Sequence, residues 1–316
     1  MRQILAAVTA TALLLTASCS SGSDDDAAVA ADPGKAAADF DKVKASTNVD
    51  ATRYLYPTTT GGRDDDQNWG DLFLPPGEHE EDSVPLVILI HGGAWKSEIG
   101  ADVFVTFARR LAERGLAVYN VEYRRVGAGG GWPTTFADVA AAIDFIPKVD
   151  AANPEIDTDN VVVAGHSAGG QLAMWVGTRH KLDDDEVGSH PAIRPNHVIS
   201  LAGPLDMREA VERGDDNIVG VLGGTPTKYP QRYEQVDPIQ NIDPEIPTVA
   251  MNGDKDRIVP AVLGENYVRA AKKAGAPSTF VMVPGGTHTS IVDSRSDQFI
   301  GVLEIISRAA YSDRRA

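Results

Sequence analysis

The chain has 316 residues, 42% hydrophobic and 23% charged, a balance that suits a globular core and excludes a fibrous or wholly disordered protein. Its formal net charge is −16, with 29 Lys and Arg against 45 Asp and Glu and no basic cluster, which excludes a nucleic-acid partner that must be held through its phosphates. A single cysteine excludes an internal disulfide.

In chain order, the first feature is an export signal: Arg2, an apolar stretch over 4–15, and the small residues Thr16, Ala17 and Ser18 before Cys19. It resembles the lipobox of bacterial lipoproteins, with Thr16 where Leu is usual. The resemblance implies that Cys19 carries lipid and anchors an exported protein to a membrane of the cell envelope; plain secretion is the alternative. Residues 1–18 are then the signal peptide. Residues 19–49, rich in Ser, Asp, Ala and Gly, bury too little apolar surface to order themselves and read as a tether.

The folded part is expected over 50–316. Two early strands, 53–56 and 70–74, flank a turn-rich stretch and suggest an antiparallel pair. The unbroken apolar run 86–90 reads as a strand buried on both faces. Phe104, Phe107, Ala108 and Leu111 recur at helical spacing, and Gly115 closes that helix. Next come a strand at 116–121, the Gly-rich loop 127–131, a helix at 136–149, a strand at 161–164 and a helix at 168–178. Strands at 197–202, 248–252 and 279–283 alternate with helices at 262–274 and 299–310. This alternation predicts an α/β fold, a mostly parallel doubly wound sheet with helices on both faces. Residues 206–241 break it with irregular sequence and are expected to form a small cap over the strand ends.

Chemistry concentrates at Gly165-His166-Ser167-Ala168-Gly169, between an apolar strand and a helix. A strand that turns at once into a helix brings backbone close to the serine, so small residues are needed on both sides of it. The following helix aims free N–H groups at any oxyanion formed there. Serine needs a base and a group to orient that base. His288 follows the last strand and Asp256 the one before, both at carboxyl ends where such sheets build sites. Asp254, two residues away, and Asp206, after another strand, are competing acids. His91 and His166 read as structural or substrate-facing.

The order Ser, Asp, His, with His91-Gly92-Gly93-Ala94-Trp95 after an early strand and Gln67 to Pro75 before it, resembles the α/β-hydrolase superfamily. It is most similar to the esterase branch near carboxylesterases, acetyl-xylan or feruloyl esterases and kynurenine-formamidase-like proteins. The resemblance covers about Asp50 to the C-terminus. It implies a catalytic triad of Ser167, Asp256 and His288, with Val259-Pro260 favouring Asp256 over Asp254. It also implies an oxyanion hole from the N–H groups of Gly93 or Ala94 and of Ala168. Trp95, Trp132 and Tyr123 are candidate walls of the substrate pocket, or core aromatics.

The implied reaction is hydrolysis of a carboxylic ester, free or polymer-linked, with no cofactor. A peptidase or amidase of the prolyl-oligopeptidase-like type and a non-catalytic surface binding module are the alternatives. No zinc, phosphate-binding or dinucleotide motif is present, and the triplets 24–26, 64–66 and 183–185 of Asp lack metal-ligand spacing.

Overall fold

The computed structural model describes residues 49–96 and 98–312. The expected signal peptide, Cys19 and nearly all of the tether lie outside the described residues.

Eight strands form one sheet: β1 (Asp50–Leu55), β2 (Trp69–Leu74), β3 (Val84–Ile90), β4 (Ala117–Val121), β5 (Ile156–His166), β6 (His197–Leu201), β7 (Thr248–Gly253) and β8 (Ser278–Val283). Their spatial order is β1-β2-β4-β3-β5-β6-β7-β8. The pairs β1–β2 and β2–β4 are antiparallel, and every pair from β4 through β8 is parallel. Parallel strands must be linked by crossovers whose helices cover both faces, so their residues are apolar throughout. All seven residues of β3 are buried accordingly.

One face is covered by α1 (Val105–Ala112) and the C-terminal α9 (Asp297–Tyr311), where Phe107 meets Phe299 edge to face at 5.0 Å. The opposite face carries α2 (Thr134–Asp144), α3 (Ile146–Asp150), α4 (Ala168–Thr178) and α8 (Ala261–Lys273). The helix expected over 136–149 is thus two helices, broken at Phe145 just before Pro147, whose missing N–H and fixed φ suit a new helix start.

The 206–241 segment is also more regular than its sequence suggests. It holds α5 (Met207–Glu212), α6 (Asp216–Leu222) and α7 (Pro230–Val236). Asp206 and Asp215 each accept a hydrogen bond from a first-turn N–H of the helix that follows, satisfying donors a helix start leaves free. The segment leaves after β6 and returns before β7. Gln171 Nε2 in α4 donates to Val236 O, and Asn266 Nδ2 in α8 donates to Asp206 Oδ2, at 2.8 and 3.0 Å.

From β3 the chain passes to β4 on one side, then crosses to β5 on the other side and continues outward through β6, β7 and β8. Strand order therefore reverses between β3 and β5, the place where such sheets leave a crevice at their carboxyl ends. The loop after β3 begins with His91 and the turn after β5 holds Ser167, so both flank that crevice.

Candidate active site

Ser167 separates β5 from α4 with φ 54° and ψ −121°, a left-handed φ that is costly for any residue with a Cβ. Its N–H donates to Leu201 O of β6 at 2.8 Å, which fixes the turn against the next strand. The flanking glycines are sterically required. A Cβ on Gly165 would overlap Gly169 O, and one on Gly169 would overlap the carbonyl oxygens of Ile90 and His91. The elbow is thus pressed both on itself and on the end of β3.

The loop after β3 has three consecutive left-handed residues, Gly93 (φ 111°), Ala94 (φ 53°) and Trp95 (φ 56°). Lys96 N–H closes a turn onto Gly93 O at 2.9 Å, and Val126 N–H donates to Trp95 O at 2.7 Å. Neither bond uses the N–H of Gly93 or Ala94. A Cβ on Gly92 would lie 3.0 Å from Ser167 Cβ and 2.8 Å from His166 O, so only glycine lets this loop lie against the serine. Ala168, the first residue of α4, has an N–H with no partner inside the helix. Gly92, which precedes Gly93 and Ala94, thus lies against Ser167, and Ala168 follows Ser167 directly.

Behind this loop, His91 is fully buried and its ring stacks on Tyr123 at 4.4 Å. Its Nδ1 lies 2.7 Å from Gly92 O and its Nε2 3.1 Å from Glu122 Oε1. Glu122 also accepts from the N–H groups of Ala101 and Tyr123, both at 2.8 Å. Burial pushes its carboxyl up, but His91, Arg125 and the Ala101 N–H together outweigh that and hold it below the usual range. The carboxylate therefore accepts from His91 and stiffens the loop from below.

For Tyr123 and Trp95, of the two readings as pocket walls or core aromatics, the structure agrees with the second. Tyr123 is wholly buried and its hydroxyl donates to His91 O at 3.0 Å, while Trp95 is 2% exposed. Both side chains belong to the buried core. Trp132 differs: half-buried, it rests 5.5 Å from Phe136, with the Arg232 guanidinium of α7 5.7 Å from its ring centroid. Arg232 also lies 3.8 Å over Tyr229 and donates to Leu222 O, so the cap and the Trp132 loop pack through one side chain.

His288 lies in the loop between β8 and α9 and is 4% exposed. Its Nδ1 is 2.8 Å from Asp256 Oδ2, and the Asp256 carboxyl is wholly buried. The other oxygen, Oδ1, accepts from the N–H groups of Ile258 and Val259 at 2.8 and 2.9 Å. Burial acts to raise the Asp256 carboxyl, but the His288 contact and these N–H groups prevail and hold it below the usual range. An ionised Asp256 only accepts, so Nδ1 of His288 carries a proton, and it is the neutral form of the ring that offers a lone pair on Nε2. Asp254 is exposed, and its Oδ1 instead accepts from Gly285 N–H at 2.7 Å. Asp206 caps α5 and meets Asn266.

Sequence reasoning gave His166 only as structural or substrate-facing, and the contact it makes is structural. Its Nε2 donates to His288 O at 2.8 Å and its ring lies 4.6 Å from that of His288, so the elbow and the His288 loop are joined by a side-chain bond. Nothing local signals this contact, which spans 122 residues. Among the described residues, no group of three or more His, Cys, Asp or Glu side chains is placed to hold a metal ion.

The model of the BD-FAE family matches residues 71–270. The chain belongs to the BD-FAE family. Like this chain, acylamino-acid-releasing enzyme of Mus musculus has a stretch alignable with it, 26% identical over 254 residues, covering 73% of this chain and 32% of that protein. Esterase LipC of Mycobacterium tuberculosis is 24% identical over 218 residues, covering 65% of this chain and 53% of LipC. The chain thus spans about a third to about half the length of these curated relatives. A truncated carbohydrate esterase from gut microbiota superposes with a TM-score of 0.67 at 22% identity, covering 82% of this chain and 96% of that one. That likeness establishes the α/β-hydrolase fold of this BD-FAE member.

Proposed function

We propose that this BD-FAE protein is a serine hydrolase of carboxylic esters, with Ser167 as nucleophile, His288 as base and Asp256 as the acid that orients it. The observation that carries the reading is the buried Asp256–His288 pair at 2.8 Å, tied by His166 to the strained turn bearing Ser167. Ser167 Oγ attacks the ester carbonyl carbon and its proton passes to His288 Nε2. The tetrahedral oxyanion is met by the N–H of Ala168 and by that of Gly93 or Ala94. Collapse breaks the bond to the alcohol, which leaves with the proton from His288. Water then attacks the acyl-enzyme by the same proton route and releases the carboxylic acid. The sequence features at the N-terminus support export and anchoring through lipid on Cys19.

The name esterase carried by LipC, and carbohydrate esterase by the structural neighbour, support this substrate class. The name acylamino-acid-releasing enzyme supports a second reading, cleavage of an acylated amino acid, through the same groups. Comparing turnover of an aryl acetate with that of an acyl-amino-acid anilide separates the two. The primary test is Ser167→Ala in the full chain. Hydrolysis of short p-nitrophenyl esters and labelling by a fluorophosphonate probe are both expected to vanish while the melting temperature stays within a few degrees. Near-full activity in that variant sinks the assignment.

A further inference from the structure

His166 sits immediately before Ser167, yet its side chain turns away from the serine and toward two other parts of the site. A backbone carbonyl oxygen can only accept, so the 2.8 Å contact between His166 Nε2 and His288 O requires a proton on Nε2. Burial, and then the neighbouring His288, push His166 down to about 3, so the ring is neutral and Nδ1 carries a lone pair. That face of the ring lies against the loop after β3: a Cβ on Gly92 would come 3.0 Å from Nδ1. Phe104 packs on it at 6.3 Å between centroids, so the ring is held between α1's start, the Gly92 loop and the His288 loop.

We propose that His166 is a positioning residue for the base: its Nε2–H, donated to the carbonyl of His288, fixes the His288 loop at its working distance from Ser167. The inference rests on the serine-hydrolase reading above. Asp256 fixes the tautomer and tilt of the His288 ring from one side, but a ring hinged on a loop also needs its backbone held. The loop 284–290 is otherwise tied to the acid loop, through Lys255 N–H to Gly286 O at 2.9 Å and Gly285 N–H to Asp254 Oδ1. Those bonds join base to acid. The His166 bond joins base to nucleophile, which is the distance that proton transfer depends on.

The test compares His166→Gln and His166→Met in the full chain, beside Ser167→Ala. Both replacements are of similar length, and only Gln has an N–H as many bonds from Cα as His Nε2. The Met variant is expected to lose about tenfold to a hundredfold in kcat on p-nitrophenyl acetate with KM changed less than about twofold. The Gln variant is expected to stay within about threefold of the parent in kcat. Parent-like kcat in the Met variant beside an inactive Ser167→Ala overturns the positioning role alone, and an active Ser167→Ala overturns both it and the site. Should Met fail to fold, Gln decides: kcat within about threefold supports the inference, and a fall beyond about tenfold in a folded protein overturns it.

Discussion

Asp256 and His288 meet at 2.8 Å across the ends of the last two strands, with the carboxyl wholly buried and its second oxygen occupied by two backbone N–H groups. Asp254, two positions earlier, points elsewhere and holds Gly285 N–H. The two aspartates therefore separate by substitution. Asp256→Asn is expected to lower kcat by about a thousandfold to ten-thousandfold, because an amide no longer enforces the right tautomer of His288. Asp254→Asn is expected to stay within about threefold, as only one loop hydrogen bond worth roughly 1 kcal/mol is weakened. Steady-state kinetics of both variants on one ester decide the acid.

Gly169 is where α4 passes under the end of β3. Because a Cβ there overlaps the carbonyl oxygens of Ile90 and His91, Gly169→Ala must push the elbow off the sheet. The expected cost is about 2–3 kcal/mol of stability, typical of forced overpacking, together with loss of activity from displaced N–H groups. Urea denaturation against the parent protein measures the first and ester turnover the second.

Asp237 predicts a pH dependence of stability. It is buried where the cap rejoins the domain, and burial, opposed by the N–H of Met207 and the Gln240 amide, raises its pKa from 3.8 to about 6. The folded protein then binds more protons than the unfolded chain between those values. The stability contributed is fully present below about 3.8 and is lost as pH rises through about 6. Its size is on the order of 2–3 kcal/mol. Unfolding free energies measured from pH 4 to 7 should show a downward component that Asp237→Asn removes. An identical pH slope in parent and variant refutes the assignment.

The location is tested at Cys19. In a bacterial host that processes lipoproteins, the parent chain is expected in the membrane fraction and labelled by a clickable palmitate analogue. Cys19→Ala is expected to lose the label and appear in the soluble exported fraction.

Much of this fold was readable because parallel strands are buried on both faces, which leaves uninterrupted apolar runs such as 86–90 and 161–164. Ser167, Asp256 and His288 could be singled out because each lies in the segment that follows a strand. The cap helices were not: at six or seven residues each, none repeats a 3.6-residue period often enough to register. Their start signals were present, in Asp206, Asp215 and Pro230. The bonds from His91 to Glu122 and from His166 to His288 join residues 31 and 122 apart, and no local pattern encodes such a pairing. The choice between pocket wall and core aromatic for Tyr123 and Trp95 was not legible for a related reason: an aromatic beside a site looks alike in sequence whether it faces substrate or is buried beside it.

The two ends of the cap are fastened to each other before either meets the sheet. Ile239 N–H donates to Leu205 O at 3.1 Å, and Met207 N–H donates to Asp237 Oδ1 at 2.9 Å. With entry and exit held side by side, the path from β6 to β7 is closed at its neck, while the buried side chains of Met207, Ile218, Tyr233 and Val236 seat its helices on the same core as Phe136 and Trp175. The cap is thereby one packed body with the helices that flank Ser167, and a change in its packing reaches α4 directly through Gln171.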